Sequence, residues 1–167
     1  SVLTNSPGFE WRMTNLCNYV NLHGGSAPGQ SLDSVALAPF GAGSGMLGLP
    51  GDVTPPSRFV RAAFYQATAP RQATGEAAVR CCFQILNNFD IPIGVEFAAG
   101  QQPTDIPSAT QWTAAADLTH RRLYYRTMYD SAIRCFDLTD IDFARVKYRS
   151  EPLDRVREQP VTPVRVR

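Results

Sequence analysis

The stretch TQWTAAADLTHRRLYYRTMYDSAIRCFDL, residues 110–138, decides the fold. Its apolar and polar residues alternate with a period of two, the period of a strand that buries one face. Thr110 to Leu118 reads as one strand, turned by Thr119-His120-Arg121. Arg122 to Met128, rich in tyrosine, reads as the next. Tyr129-Asp130-Ser131 turns the chain again, and Ile133 to Leu138 makes a third. Short strands joined by short turns pair antiparallel, so the stretch predicts a meander. Asp137 to Phe143 follows as an acidic turn or a single helical turn, with Asp137, Asp140 and Asp142 solvated.

Upstream the period becomes helical. Phe9, Met13, Leu16 and Val20 approximate i, i+4, i+7 and i+11, which predicts a helix from Phe9 to Leu22. Glu10 lies in its first turn, at the positive end of the helix dipole, and Gly24-Gly25 stops it. Thr54 reads as the N-cap of a second helix, from Pro55 or Pro56 to about Ala69. Thr74 caps a third that runs to about Asn88, and Pro70 separates the two. Helices followed by an antiparallel meander predict an α+β fold.

The remaining segments are irregular. Ser1 to Asn5 is short and β-compatible, and ends in the turn Ser6-Pro7-Gly8. Residues 24–56 hold eight of the twelve glycines and read as a long loop, of the kind that is functional or disordered. Residues 98–109 form a polar, proline-containing loop. Residues 151–167, with Pro152, Pro160, Pro163 and alternating Arg and Val, read as an extended C-terminal arm lying on another surface. Residues 1–150 then form the body of one domain.

Composition removes several function classes. The chain has 167 residues, 44% apolar and 19% charged, enough to bury a core. A formal net charge of +1 is not the footprint of a nucleic-acid binder. No apolar run approaches the ~20 residues that span a bilayer, and no signal peptide is visible. The basic residues are lopsided, with Lys147 the single lysine, so most cations here are permanently charged and bidentate. Cys17, Cys81, Cys82 and Cys135 lack CxxC spacing and a neighbouring His pair, which argues against zinc. At least three of the four read as small core residues. His23 and His120 are isolated and read as surface residues, so no metal site is expected, and no cofactor fingerprint is present.

Three positions invite chemistry. Ser1 has the form of an N-terminal nucleophile whose α-amine serves as base; the blander reading, that the chain merely begins there, is preferred. Val2-Leu3-Thr4-Asn5-Ser6-Pro7 sets an amide side chain beside a rigid turn, where Asn5 can be aimed as a hydrogen-bond donor. Arg58 stands near the start of a helix, delivered there by the glycine-rich segment. By local physics alone, Asn5 and Arg58 both read as structural.

Several motifs together change that reading. Thr4-Asn5-Ser6-Pro7 with Phe9 and Trp11, then Asn15-Leu16 with Asn18-Tyr19, are followed by Leu49-Pro50-Gly51-Asp52 and Ser57-Arg58-Phe59-Val60-Arg61. Ile91-Pro92 with Gly94, Trp112-Thr113, Asp117 and Tyr124-Tyr125-Arg126 complete the series. In order and spacing the chain resembles the choloylglycine hydrolase family, the conjugated bile salt hydrolases and penicillin V acylases. The resemblance implies an αββα sandwich of the N-terminal nucleophile hydrolase type. It also implies hydrolysis of non-peptide amide bonds by a processed N-terminal cysteine acting through a thioester. By motif match, Asn5 corresponds to the family's oxyanion-hole asparagine, and Arg58 to the arginine beside the nucleophilic sulfur.

In the family the Thr-Asn-x-Pro segment lies well after the nucleophile, whereas this chain begins there. The resemblance therefore implies the C-terminal half of such an enzyme, with the nucleophilic cysteine supplied by a missing N-terminal half. None of the four cysteines takes that place. Substrates within the family's range are conjugated bile salts, penicillin V and acyl-homoserine lactones. The alternative is a non-catalytic remnant or interaction domain that keeps half of the fold. The resemblance further implies a homo-oligomer, commonly a tetramer, in a bacterial cytoplasm or periplasm. The expected partners are the N-terminal half and a small N-acyl substrate, with no nucleic acid and no membrane. The chain by itself is expected to be inactive.

Overall fold

The computed structural model describes residues 2–105 and 107–166. The elements run α1 (Phe9–Leu16), β1 (Gln30–Leu32), β2 (Val35–Leu37), α2 (Pro55–Thr68), α3 (Gly75–Leu86), β3 (Trp112–Asp117), β4 (Arg122–Thr127) and β5 (Arg134–Asp137). Short 3-10 turns stand at Cys17–Tyr19, Ser44–Met46, Asn87–Phe89 and Leu138–Asp140. This mixture of helices and antiparallel strands is α+β. The chain forms two compact units, Ser1–Arg71 and Gln72–Arg167.

In the second unit β3, β4 and β5 pair antiparallel in chain order. Trp112 faces Thr127 at one end of the first ladder and Asp117 faces Arg122 at the other. Arg122 also faces Asp137 across the second ladder, and its Nε donates to Asp137 Oδ2 at 2.8 Å. Asp137 is thus not part of a solvated turn: it closes β5 and accepts from both Thr139 N and Thr139 Oγ1. Tyr125 and Phe136 stack with centroids 5.3 Å apart, and the Arg134 guanidinium lies 4.6 Å from the Tyr125 ring centre. The helix α3 packs on β3, buries Phe83, and is capped by Thr74 Oγ1, which accepts from Ala77 N at 3.2 Å. Its first residue approaches the sheet closely: a Cβ on Gly75 would come to 3.0 Å from Asp117 Oδ2.

Residues 151–166 contain no helix or strand. The arm starts on its own unit, where Asp154 Oδ1 accepts from Arg134 Nη1 at 2.8 Å and from Thr127 Oγ1 at 3.0 Å. Further along, Ser131 N donates to Gln159 Oε1, and beyond that Val161, Val164 and Val166 are exposed.

The structure corrects the sequence reading in four further places, the first three of them in the first unit. Residues 2–5 form no strand. Residues 24–56 are not one long loop, because β1 and β2 pair as a hairpin with Leu32 opposite Val35. Asp33 takes the turn at φ 52°, a conformation that short Asx residues tolerate. The helix α1 stops at Leu16 and tightens into a 3-10 turn, and its apolar stripe is uncovered: Phe9 and Met13 are 50% and 44% exposed. Arg12, one turn on from Phe9, is 2% exposed. Finally, Cys17 and Cys135 are exposed and Cys81 and Cys82 half-buried, so none is a core residue. Cys17 follows α1 on its open side and Cys135 lies on the edge strand β5, while Cys81 and Cys82 flank the buried stripe of α3.

The core of this unit is small and centred on α2. Val60 is fully buried and Phe59 nearly so, with Phe9 meeting the Phe59 ring edge-on at 6.2 Å. Leu22 is buried as well. The glycine-rich segment is pinned by close approach: His23 N donates to Gly45 O at 3.0 Å, and a Cβ on Gly45 would lie 2.6 Å from His23 O.

Candidate active site

The start of α2 explains how Arg58 is held. Pro55 and Pro56 open the helix, so two of its unpaired N–H groups do not exist. Thr54 occupies the N-cap position as expected, but its hydroxyl does not cap. Instead it donates to Asp52 Oδ1 at 2.5 Å, and Thr54 N donates to the same oxygen at 2.9 Å. The other carboxylate oxygen accepts from Ser57 Oγ at 2.5 Å. Asp52 therefore organises the turn that leads into the helix. Ser57, then Thr54, hold its carboxyl down at about 2, because hydrogen bonds to the charged form favour that form. On the other side Arg61, buried, donates through Nη1 to Pro50 O and Asp52 O, each at 2.7 Å. The Leu49-Pro50-Gly51-Asp52 motif and the Ser57-to-Arg61 motif are thus one locked structure.

From that turn Arg58 reaches across to the first residues of the chain. Its Nε donates to Val53 O at 3.0 Å, and its Nη2 donates to Asn5 Oδ1 at 2.9 Å. The two residues are 53 positions apart in sequence. A guanidinium has donors only, so the Asn5 amide must present its oxygen to Arg58 and its NH₂ away from it. Among the described residues nothing accepts from that NH₂. The backbone beside it is anchored twice: Thr4 Oγ1 donates to Pro55 O at 3.0 Å, and Thr4 O accepts from Arg12 Nη2.

Both site residues expected from the sequence, Asn5 and Arg58, are therefore brought into direct contact. Asn5 is exposed and Arg58 half-buried. Ser1 lies outside the described residues. Sequence reasoning gave no role to Asp52, Arg61 or Arg12. For Asp52 a signal exists, since Asp-x-Thr-x-x-Ser ahead of a helix is the pattern of a side chain that bonds nearby backbone and hydroxyl groups. For Arg12 there is none, because periodicity assigned the buried face to its neighbours. Among the described residues no group of three His, Cys, Asp or Glu forms a metal site, and no helix is long and apolar enough to cross a membrane.

A neutral amide donor fixed beside a permanent cation can stabilise negative charge on a group bound next to them. A bile salt hydrolase/transferase of Clostridium perfringens is 35% identical over 137 residues, covering 82% of this chain and 40% of that protein. The crystal structure of a conjugated bile acid hydrolase variant from the same organism matches 98% of this chain and 48% of its own, with a TM-score of 0.79 and 29% identity. Penicillin V acylase from Agrobacterium tumefaciens matches 84% of this chain and 36% of its own with a TM-score of 0.57; at 21% identity it shows a shared fold alone. These neighbours give the chain the fold of the N-terminal nucleophile hydrolase type, and the chain spans about half the length of the proteins it matches. A family model described as linear amide C–N hydrolases, choloylglycine hydrolase family, matches residues 1–151, and the chain belongs to that family.

Proposed function

We propose that this chain forms the C-terminal part of an amide hydrolase in which Asn5 and Arg58 serve a cysteine thiol supplied by polypeptide outside it. The carrying observation is the 2.9 Å hydrogen bond from Arg58 Nη2 to Asn5 Oδ1. In this reading Arg58 favours the thiolate, which attacks the amide carbonyl carbon. The carbonyl electron pair moves to oxygen, and Asn5 Nδ2 donates to that oxyanion. The thiol proton passes to that cysteine's own α-amino group, collapse breaks the C–N bond, the amino group returns the proton to the leaving amine, and the acyl group remains as a thioester. Water then attacks the thioester, releasing the acid and regenerating the thiol.

Relatives named for bile salts favour conjugated bile salts as the N-acyl substrate over penicillin V. The test uses the enzyme that contains this chain. Asn5→Ala should lower kcat by ~10²–10³ with folding retained, and Arg58→Ala should also lower kcat more than stability. Normal kcat in a folded variant removes that residue from the site. Hydrolysis of penicillin V at rates above those for glycine- and taurine-conjugated bile salts reverses the substrate assignment.

The same reading makes the 167-residue chain inactive by itself and associating in solution. Phe40, Trp112 and Tyr148 are 103%, 59% and 96% exposed, and apolar surface of that kind is covered in stable assemblies. Sedimentation of the purified chain as a compact, cooperatively unfolding monomer would instead support a self-sufficient interaction domain.

A further inference from the structure

We infer that Arg12 is a positioning residue for the Asn5 amide, an inference that rests on the role proposed for Asn5. Arg12 is an unusual occupant of its place. Its side chain is 2% exposed, yet Nε and Nη1 have no hydrogen-bond partner among the described residues. No carboxylate is paired with it there. Its neighbours are the Phe59 ring, whose centre lies 5.6 Å from Cζ, and the Thr4 carbonyl, which accepts from Nη2. Burying a guanidinium with unpaired donors is costly, and an aliphatic side chain of similar length would pack on Phe59 without that cost. What an aliphatic chain would not supply is the bond to Thr4 O.

That bond acts on one peptide plane. The Thr4 carbonyl and the Asn5 N–H belong to the same rigid unit, so fixing the carbonyl fixes the plane from which the Asn5 side chain departs. The Thr4 hydroxyl, bonded to Pro55 O, ties the preceding residue to the first turn of α2, the turn that carries Arg58. Arg12 holds the carbonyl side of the peptide, Pro55 the threonine side chain, and Arg58 the amide oxygen. Remove the first, and Asn5 keeps its bond to Arg58 but gains freedom about its backbone. Because the guanidinium nitrogens Nε and Nη1 are sealed from solvent, Arg12 does not reach substrate and acts only through Asn5.

The test is a double-mutant cycle in the enzyme that contains this chain, assayed on a conjugated bile salt. Arg12→Met should lower kcat about tenfold, with KM changed less than about twofold, because positioning is lost and substrate contacts are not. Arg12→Met added to Asn5→Ala should cost less than about twofold more, because residues acting as one unit are non-additive. If Arg12→Met does not fold, Arg12→Lys replaces it: its cation stays over Phe59 but falls short of Thr4 O, and the same loss is expected. Normal kcat in the Arg12 variants, or losses that multiply with Asn5→Ala, would overturn the inference and leave the role of Asn5 standing. Normal kcat in Asn5→Ala would overturn that role, and this inference with it.

Discussion

Replacing Asp52 by alanine removes three hydrogen bonds from the turn that launches α2: those from Thr54 N, Thr54 Oγ1 and Ser57 Oγ. Ser57 is buried, so its hydroxyl loses an acceptor that water does not easily replace. An orphaned donor of this kind costs about 1 kcal/mol or more. The depressed carboxyl reports the same bonds, since Ser57 and Thr54 are its cause: held at about 2 instead of 3.8, it corresponds to ~2.4 kcal/mol, which solvent around this exposed residue reduces to about 1 kcal/mol. The two routes agree, and Asp52→Ala should lose about 1 kcal/mol at neutral pH. Asp52→Asn keeps an acceptor for Thr54 N and should lose about half of that.

The pH dependence has a definite sign. Because the folded pKa is depressed, the charge contribution is present above 3.8 and disappears as pH falls through about 2. About half should be gone by pH 3. Urea unfolding of the enzyme and of its Asp52→Asn variant, at pH 7, 4 and 3, reads the difference directly. The gap between the two should narrow as pH falls. A gap of constant size, or one that widens in acid, would refute the assignment of this carboxylate as the organiser of the turn.

Val60→Ala, at a fully buried position, should destabilise by roughly 1–3 kcal/mol in the same urea assay, with kcat unchanged at temperatures where the protein is folded. Asp154→Ala removes the side-chain bonds from Arg134 and Thr127 and leaves the start of the arm only the bond from Arg134 Nη1 to Leu153 O; limited proteolysis should then cut between residues 151 and 160 faster, with the sheet intact.

What was legible in the sequence follows the strength of local signals. The helix α2 was placed within a residue because Pro55-Pro56 after Thr54 admits little else, and α3 because Thr74 stands ahead of a continuous helical pattern. The meander was legible because Trp112–Asp117 and its successors alternate and are separated by polar turns. The β1–β2 hairpin was not, because all six of its residues are exposed and so carry no one-sided pattern. On α1 the apolar pattern marks only part of the buried face. Phe9 meets the Phe59 ring, but the residue buried most deeply is Arg12, one turn on, which covers the same ring with its guanidinium. Of the candidate site, motif singled out Asn5 and Arg58, and the contact between them was not legible. Nothing local to Asn5 or Arg58 tells that one will donate to the other across 53 positions.

An amide that accepts from a cation at its oxygen is electronically altered at its nitrogen. Arg58 draws density toward Asn5 Oδ1, the C–N bond gains double-bond character, and the protons on Nδ2 become more positive. The arginine's charge is thereby felt at the amide nitrogen without being placed there. A neutral donor polarised in this way strengthens as negative charge builds on its acceptor and weakens as that charge is lost. It is also rigid against rotation: turning the amide over would point NH₂ at a guanidinium, two donors facing each other, so one of its two orientations is excluded before any ligand arrives.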